Sequence, residues 1–249
     1  MKENDIALKE ETQGLIALAR IETHEKIIRF LQKEKRGKLL DIPAGTGILA
    51  SKLKDSGFEC SCCDINPEMF KAHNIEFKVA DLNKTIPLET EFYDYITCVD
   101  GLEHLENSHN AIREFNRVLK KGGKLFISIP NYLTIERRMK FLLTGSFTKP
   151  VNQKMFKERF NSNTAMMHIN FISYPILRFM LESNGFQIIR LDIDRPKPKM
   201  IFLSPITVLI KLYCSFWPKK AKERYWLKET LSKQVFSGGN TLIIVAQKS

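Results

Sequence analysis

The chain is poor in thiols, poor in histidine and without a long apolar run. Five of its 249 residues are Cys and five are His. Cys60, Cys62 and Cys63 crowd one short segment, Cys98 and Cys214 stand apart, and no histidine accompanies them at ligand spacing. Buried, reduced thiols are expected rather than a zinc centre, which points to a reducing, cytoplasmic setting. The leading residues MKENDIALKEETQ are charged and polar and carry no export pattern. No stretch approaches the roughly 20 apolar residues of a membrane span. Repeats and low-complexity linkers are missing as well. A hydrophobic content of 43% supports one large core, so residues 1–249 read as a single domain with additions. Acidic residues are scarce in one half only. Residues 1–110 hold 14 Lys/Arg and 20 Asp/Glu, net −6, whereas residues 111–249 hold 25 and 8, net +17. Such asymmetry suggests an anionic acceptor or surface: phosphate-bearing sugars, acidic lipids or RNA.

What is present begins with KLLDIPAGTGILA, Lys38 to Ala50. An apolar run ends in Asp41, a turn with Gly45 and Gly47 follows, and helix-forming residues come next. Glycine permits positive φ and lets a ligand approach bare backbone, while the following helix offers free N–H groups. Ile48 to Ser56 reads as that helix. A second strand, Phe58 to Cys63, runs into Asp64, where an acid can accept hydrogen bonds from ribose hydroxyls. Further strands are predicted over Glu76–Ala80, ending at Asp81, over Phe92–Val99, ending at Asp100, and over Lys124–Ile129, ending at Pro130 and Asn131. Polar residues recur where strands end, the pattern of an open α/β sheet with its ligand at the strands' carboxyl ends.

DIPAGTG, CDINPEM, VADLNKTIPL, YDYITCVDGLEHLEN and FNRVLKKGGKLFISIPN, in that order, resemble a class I S-adenosylmethionine-dependent methyltransferase of the small-molecule kind. HINFISYPILRFMLESNGFQIIRL, from His168, resembles that family's last crossover helix and strand. The resemblance implies a Rossmann-like seven-stranded sheet, mostly parallel with an antiparallel C-terminal strand, and helices on both faces. It implies S-adenosyl-L-methionine as cofactor and S-adenosyl-L-homocysteine as product. Asp41, Pro43, Ala44, Gly45 and Gly47 would line the methionine and ribose part. Asp64 and Ile65 would meet the ribose, Asp81 and Leu82 the adenine, and Asp100 the substrate side of the sulfonium. Pro43 departs from the family, which usually has glycine there; proline lacks an N–H, so one backbone contact is lost. Pro43 also breaks the dinucleotide fingerprint of an NAD-binding domain.

Residues 195–237, between strands predicted at Phe186–Asp194 and Gly239–Gln247, read as a helical insertion. Ser204 suits an N-cap, Pro205 the first helical position and Pro218 the end. Between Pro205 and Trp217 the polar side chains Thr207, Lys211 and Ser215 form one narrow stripe on an otherwise apolar helix. Ten Lys/Arg against two Asp/Glu, both tryptophans and two tyrosines lie within residues 195–233. Residues 200–220 are therefore expected to lie in the plane of an anionic membrane, at its inner face, or to pack on the domain or in a homodimer. Insertions of this kind loosely resemble those of methyltransferases acting on surface glycans or lipid-linked sugars.

Residues 12–35 show helical apolar spacing, and residues 131–170, basic and rich in Phe and Met, read as a mobile cap over the acceptor site. An activated methyl needs only an aligned nucleophile and exclusion of water, with a base where the acceptor is a hydroxyl. His168 and His104 are the candidate bases, with Glu103 and Asp100 beside His104; a Glu103/His104 metal site is disfavoured and no metal is expected. The reading is O-methylation of a small or lipid-linked anionic acceptor. A bacterial surface saccharide comes first, a quinone-type phenol second and RNA third. A non-catalytic scaffold is the remaining alternative.

Overall fold

The computed structural model describes residues 11–12, 15–160 and 167–249. A seven-stranded sheet forms its centre, built from β3 (Lys38–Asp41), β4 (Glu59–Asp64), β5 (Glu76–Val79), β6 (Tyr93–Cys98), β7 (Leu119–Pro130), β8 (Phe186–Ile193) and β9 (Thr241–Lys248). The strand order is β5-β4-β3-β6-β7-β9-β8. Neighbours through β7 are parallel, and β9 runs antiparallel to both β7 and β8. The Rossmann-like class expected from sequence is the class observed. A short pair, β1 (Glu11–Thr12) and β2 (Leu15–Ile16), lies apart from this sheet.

Side chains alternate across each strand, so each strand feeds two cores. On one face Leu40, Ile96, Ile127 and Ile244 pack with Ile112 and Phe115 of α3 (Ser108–Val118) and Leu177 of α6 (Tyr174–Glu182). On the other, Leu39, Tyr95, Phe126 and Ile243 pack with Ile27 and Leu31 of α1 (Ile21–Leu31) and Leu53 of α2 (Ile48–Asp55). The three crowded cysteines lie on β4, Cys60 and Cys62 on one face and Cys63 on the other, and are buried, as is Cys98 on β6. Burial pushes the Cys60 and Cys63 thiols up to about 12, so they serve as small apolar side chains.

Three boundaries differ from expectation. The helix expected over 12–35 begins only at Ile21, and Leu15–Ile16 is strand. The cause is a tertiary contact: Leu15 and Ala17 pack on Ile48 and Ala72, and the Ile16 carbonyl accepts a hydrogen bond from Thr46 Oγ1 at 2.9 Å. β7 starts at Leu119 rather than Lys124, because Leu119 pairs with Tyr93 across a register shift. Ser204 does not cap the inserted helix. Its hydroxyl donates to the Ile201 carbonyl, and α7 (Ser204–Ser215) starts from Leu203.

The insertion stands between β8 and β9. A 3-10 turn, Pro198–Leu203, leads into α7, α8 (Lys219–Arg224), α9 (Leu227–Thr230) and α10 (Lys233–Phe236). It docks on α4 (Ile135–Thr144), which follows β7; α5 (Gln153–Phe160) lies between α4 and α6. Leu203, Ile206 and Ile210 pack with Ile135 and Met139 around Met200 and Phe236. Of the polar stripe, Thr207 is buried and donates to the Ser204 carbonyl at 2.7 Å. The apolar side of α7 faces outward: Val208, Leu209, Leu212, Tyr213 and Phe216 are exposed, the last at 79%. Among the described residues no helix is long and apolar enough to cross a membrane.

Candidate active site

The carboxyl ends of β3, β4 and β6 surround a cavity of about 600 Å³, a volume typical of small-molecule sites and placed where the strand order reverses. Its walls include Asp41, Pro43, Ala44, Gly45, Asp64, Ile65, Asp81, Leu82 and Asp100. Nine of the expected cofactor residues therefore share one cavity. Gly47 does not line it. It starts α2 at φ +86°, and a Cβ there would lie 2.6 Å from Ala72 Cβ and 2.7 Å from the Phe70 ring. Its role is close packing behind the turn.

The strand-end acids differ in environment. Asp41 is buried and accepts from Thr97 Oγ1 at 2.6 Å. Burial raises its pKa to about 7, the Thr97 hydrogen bond opposes the rise, and Asp64 adds to it. Asp64 holds the turn: one oxygen accepts from Gly45 N at 2.8 Å and the other from Asn66 N at 2.9 Å. A carboxylate has about four lone-pair sites, so Asp64 keeps capacity for a ligand hydroxyl. Asp81 is tied to Asn83 N at 2.9 Å. Pro43 contributes a ring rather than an N–H, and it packs against Gly101, where a Cβ would lie 2.6 Å from Pro43 Cδ. Asp100 sits at φ +46°, in the left-handed region that non-glycine residues rarely adopt. Ser128 holds it there, accepting from Asp100 N and donating to its carboxylate. Burial raises its pKa, opposed by Ser128 and reinforced by Asp194.

Next to Asp100 the chain builds a second group. His104 follows Glu103 in a 3-10 turn, Leu102–His104. The Glu103 carbonyl accepts from both Ile169 N (2.9 Å) and Asn170 N (3.0 Å), which returns the His168 segment to the cavity. The two imidazoles meet edge to face with centroids 4.8 Å apart. Tyr132 Oη lies 3.4 Å from His168 Nδ1. His168 is exposed at the cavity mouth, and partial desolvation followed by His104 lowers its pKa to about 4. It is neutral at physiological pH. Glu103 is fully buried, with no hydrogen-bond partner for either oxygen among the described residues. Burial, then Asp100, pushes its pKa well up. Glu103, His104 and His168 each present a ligand atom within 4.8 Å of the others.

An aromatic wall flanks this group. Phe171 lies edge-on to Tyr132 with centroids 5.3 Å apart, Phe147 lies 6.3 Å from Tyr132, and Phe141 stacks on Phe147 at 4.4 Å. Met166 of the expected cap lies outside the described residues. The sequence reading missed Leu18, Ala19 and His24, which reach the cavity from the N-terminal segment, and Asn66 and Met69 after β4. Leu18 covers Gly45, where a Cβ would lie 2.9 Å from its methyl.

A family model described as a methyltransferase domain matches residues 15–191, and the chain belongs to that family. It is a class I S-adenosylmethionine-dependent methyltransferase. Curated relatives include methyltransferases named for ubiquinone and menaquinone biosynthesis. Ubiquinone biosynthesis O-methyltransferase of Xanthomonas oryzae pv. oryzae is 31% identical over 103 residues, 38% of this chain and 43% of the relative. Demethylmenaquinone methyltransferase of Chlorobaculum tepidum is 32% identical over 117 residues, 45% and 48%. Ubiquinone/menaquinone biosynthesis C-methyltransferase UbiE of Pseudomonas fluorescens is 38% identical over 104 residues, 36% and 40%. The matches thus span less than half the length of these relatives. Of solved structures, a protein of Pyrococcus horikoshii OT3 superposes with TM-score 0.58 at 20% identity over 92% of this chain and 89% of that one. Phosphoethanolamine N-methyltransferase 2 of Haemonchus contortus, in complex with S-adenosyl-L-methionine, gives 0.56 at 17% identity over 92% and 53%. These likenesses establish the fold.

The cavity suits the cofactor. Its acids stand at four strand ends, its turn approaches without side chains at Gly45, and Asp64 retains acceptor capacity. S-Adenosyl-L-methionine, when bound, supplies an electrophilic methyl group on sulfur.

Proposed function

We propose that this enzyme O-methylates a prenylated quinone-type phenol, taken from an anionic membrane surface met by residues 200–220. The carrying observation is the aromatic wall of Tyr132, Phe147 and Phe171 beside the His104–His168 pair. Tyr132 is buried behind this group, whereas Phe171 is half exposed and offers a flat, partly apolar ring a face to stack on, with its hydroxyl within reach of the imidazoles. The names of the curated relatives support the quinone class. They lend nothing to the surface saccharide favoured from sequence, nor to RNA.

In this reading Asp41, Pro43, Ala44, Gly45, Asp64 and Ile65 hold the methionine and ribose, Asp81 and Leu82 flank the adenine, and Asp100 faces the acceptor side. His168 is the base. With its proton on Nδ1 and donated to Tyr132, the free Nε2 accepts the phenol proton. Residues 131–170 exclude water as a cap.

The test is radiolabelled methyl transfer to a lysate from the protein's own source, fractionated into lipid, small-molecule, protein and RNA pools, with Asp64→Ala as control. Label in a prenylated phenol is expected. Label confined to saccharide or RNA would overturn the acceptor assignment.

A further inference from the structure

A second cavity, also about 600 Å³, opens within the insertion, on residues that methyl transfer does not use. Arg178 of α6, Lys211 of α7, Lys219 and Lys222 of α8 and Lys228 of α9 line it, with Trp226 in its wall. Its two acids are engaged: Glu229 pairs with Arg178 at 2.9 Å and Glu223 with Lys219 at 3.8 Å. Lys222 donates to the Ser215 carbonyl at 2.6 Å. Lys211 and Lys228 form no ion pair among the described residues. Trp226 sits at φ +45°, ψ +47°, and the Arg178 guanidinium lies 4.5 Å above its ring. The left-handed turn therefore joins α8 to α9 and places the stacked arginine at the cavity.

Lys211 belongs to the same helix that presents Val208, Leu209, Leu212, Tyr213 and Phe216 to the outside. Tyr213, Trp217 and Tyr225 form an edge-to-face series alongside. A cationic cavity thus adjoins an exposed aliphatic and aromatic face. The occupant that matches both is amphiphilic, with an anionic head and an apolar body. Lysines supply point charges for phosphate oxygens, while Arg178, held by Glu182 at 2.7 Å and Glu229 at 2.9 Å, stiffens the cavity wall. A second copy of this chain meeting the same patch across a two-fold axis would set these cations against their own image.

We infer that this cavity binds the phosphate of an anionic phospholipid headgroup while the outward face of α7 lies among the acyl chains. The inference rests on the membrane contact proposed above and assigns its selectivity to particular residues. Aromatic and aliphatic groups at the headgroup boundary, with lysines directed at lipid phosphates, favour anionic over neutral membranes.

The test is co-sedimentation of the full chain with phosphatidylcholine vesicles, with and without one-third phosphatidylglycerol, and calorimetry with inorganic pyrophosphate as the soluble anion. Two variants accompany the wild type, Lys211→Glu/Lys228→Glu in the cavity and Leu209→Asp/Phe216→Asp on the outer face. Retained affinity for S-adenosylmethionine verifies folding of each. Wild type is expected on phosphatidylglycerol vesicles, with affinity at least tenfold lower in either variant. Equal vesicle binding by wild type and the Lys211/Lys228 variant would overturn the cavity while leaving the membrane contact intact. A wild type that ignores both vesicles would remove the membrane contact itself. Tight pyrophosphate binding without vesicle binding would reassign the cavity to a soluble phosphate. A dimer abolished by the outer-face variant, again without vesicle binding, would make a second copy the occupant.

Discussion

Asp41 and His168 are the two residues whose charge the fold alters most usefully. Burial lifts Asp41 from 3.8 to about 7, so the folded chain holds its proton more tightly than the unfolded chain. Stability from this group is therefore full below about pH 4 and is lost as pH rises through about 7. Asp41→Asn removes the loss. Urea unfolding at pH 8 is expected to find the variant more stable by up to about 4 kcal/mol, and the gain should shrink toward pH 4. Parallel stability curves would place the Asp41 pKa near its ordinary value. His168 runs the other way, lowered to about 4. As the base it stays competent down to that pH, so the acid limb of kcat/KM should fall near pH 4 rather than 6.5. His168→Ala should lower kcat about 100-fold with cofactor affinity nearly unchanged; a kcat that does not move would exclude it. At this scale the sequence was informative for Asp41, Asp64, Asp81 and Asp100, because each ends an apolar run. It did not place Leu18 at the cavity, which Leu18 reaches through its contact with Gly45 in the turn.

At the scale of elements, alternation made the sheet legible: opposite-facing pairs such as Leu39/Leu40 and Ile243/Ile244 need cover on both sides. Helix ends were less legible where tertiary contacts override local signals. Leu15 to Leu18 carry helical spacing, yet Leu15 and Ala17 are drawn onto Ile48 as extended chain. Gly47 illustrates the same limit, since sequence cannot tell a glycine that meets a ligand from one that meets Phe70. Gly47→Val would force a β-branched residue into positive φ and a Cβ against Ala72. It is expected to destabilise the fold by about 3 kcal/mol, read as a lower thermal midpoint without cofactor. Phe115→Ala on α3, fully buried against the sheet, should cost about 3–5 kcal/mol. Near-wild-type unfolding of that variant would mean that α3 packs elsewhere.

The whole molecule divides its charge, and the division has a measurable consequence. The N-terminal 110 residues carry net −6 and the remainder +17. Sequence revealed this imbalance but not its distribution in space, since only folding brings Arg178 to Lys211 and Lys228. Within the cofactor cavity Asp41 and Asp64 are buried, and buried charges are screened little by salt. On the insertion the lysines are exposed, and screening there is strong: the Debye length falls from about 10 Å at 0.1 M to about 3 Å at 1 M salt. The two binding events should therefore separate by ionic strength. Affinity for S-adenosylmethionine is expected to change less than threefold across that range, whereas affinity for phosphatidylglycerol vesicles should fall more than tenfold. Residual vesicle binding at high salt would come from the outer face of α7, where Leu209, Leu212 and Phe216 bury apolar area that salt does not weaken. Titrating both ligands at the two salt concentrations checks this. Equal salt dependence for the two would mean that the cofactor site, too, draws on the long-range field of the basic half.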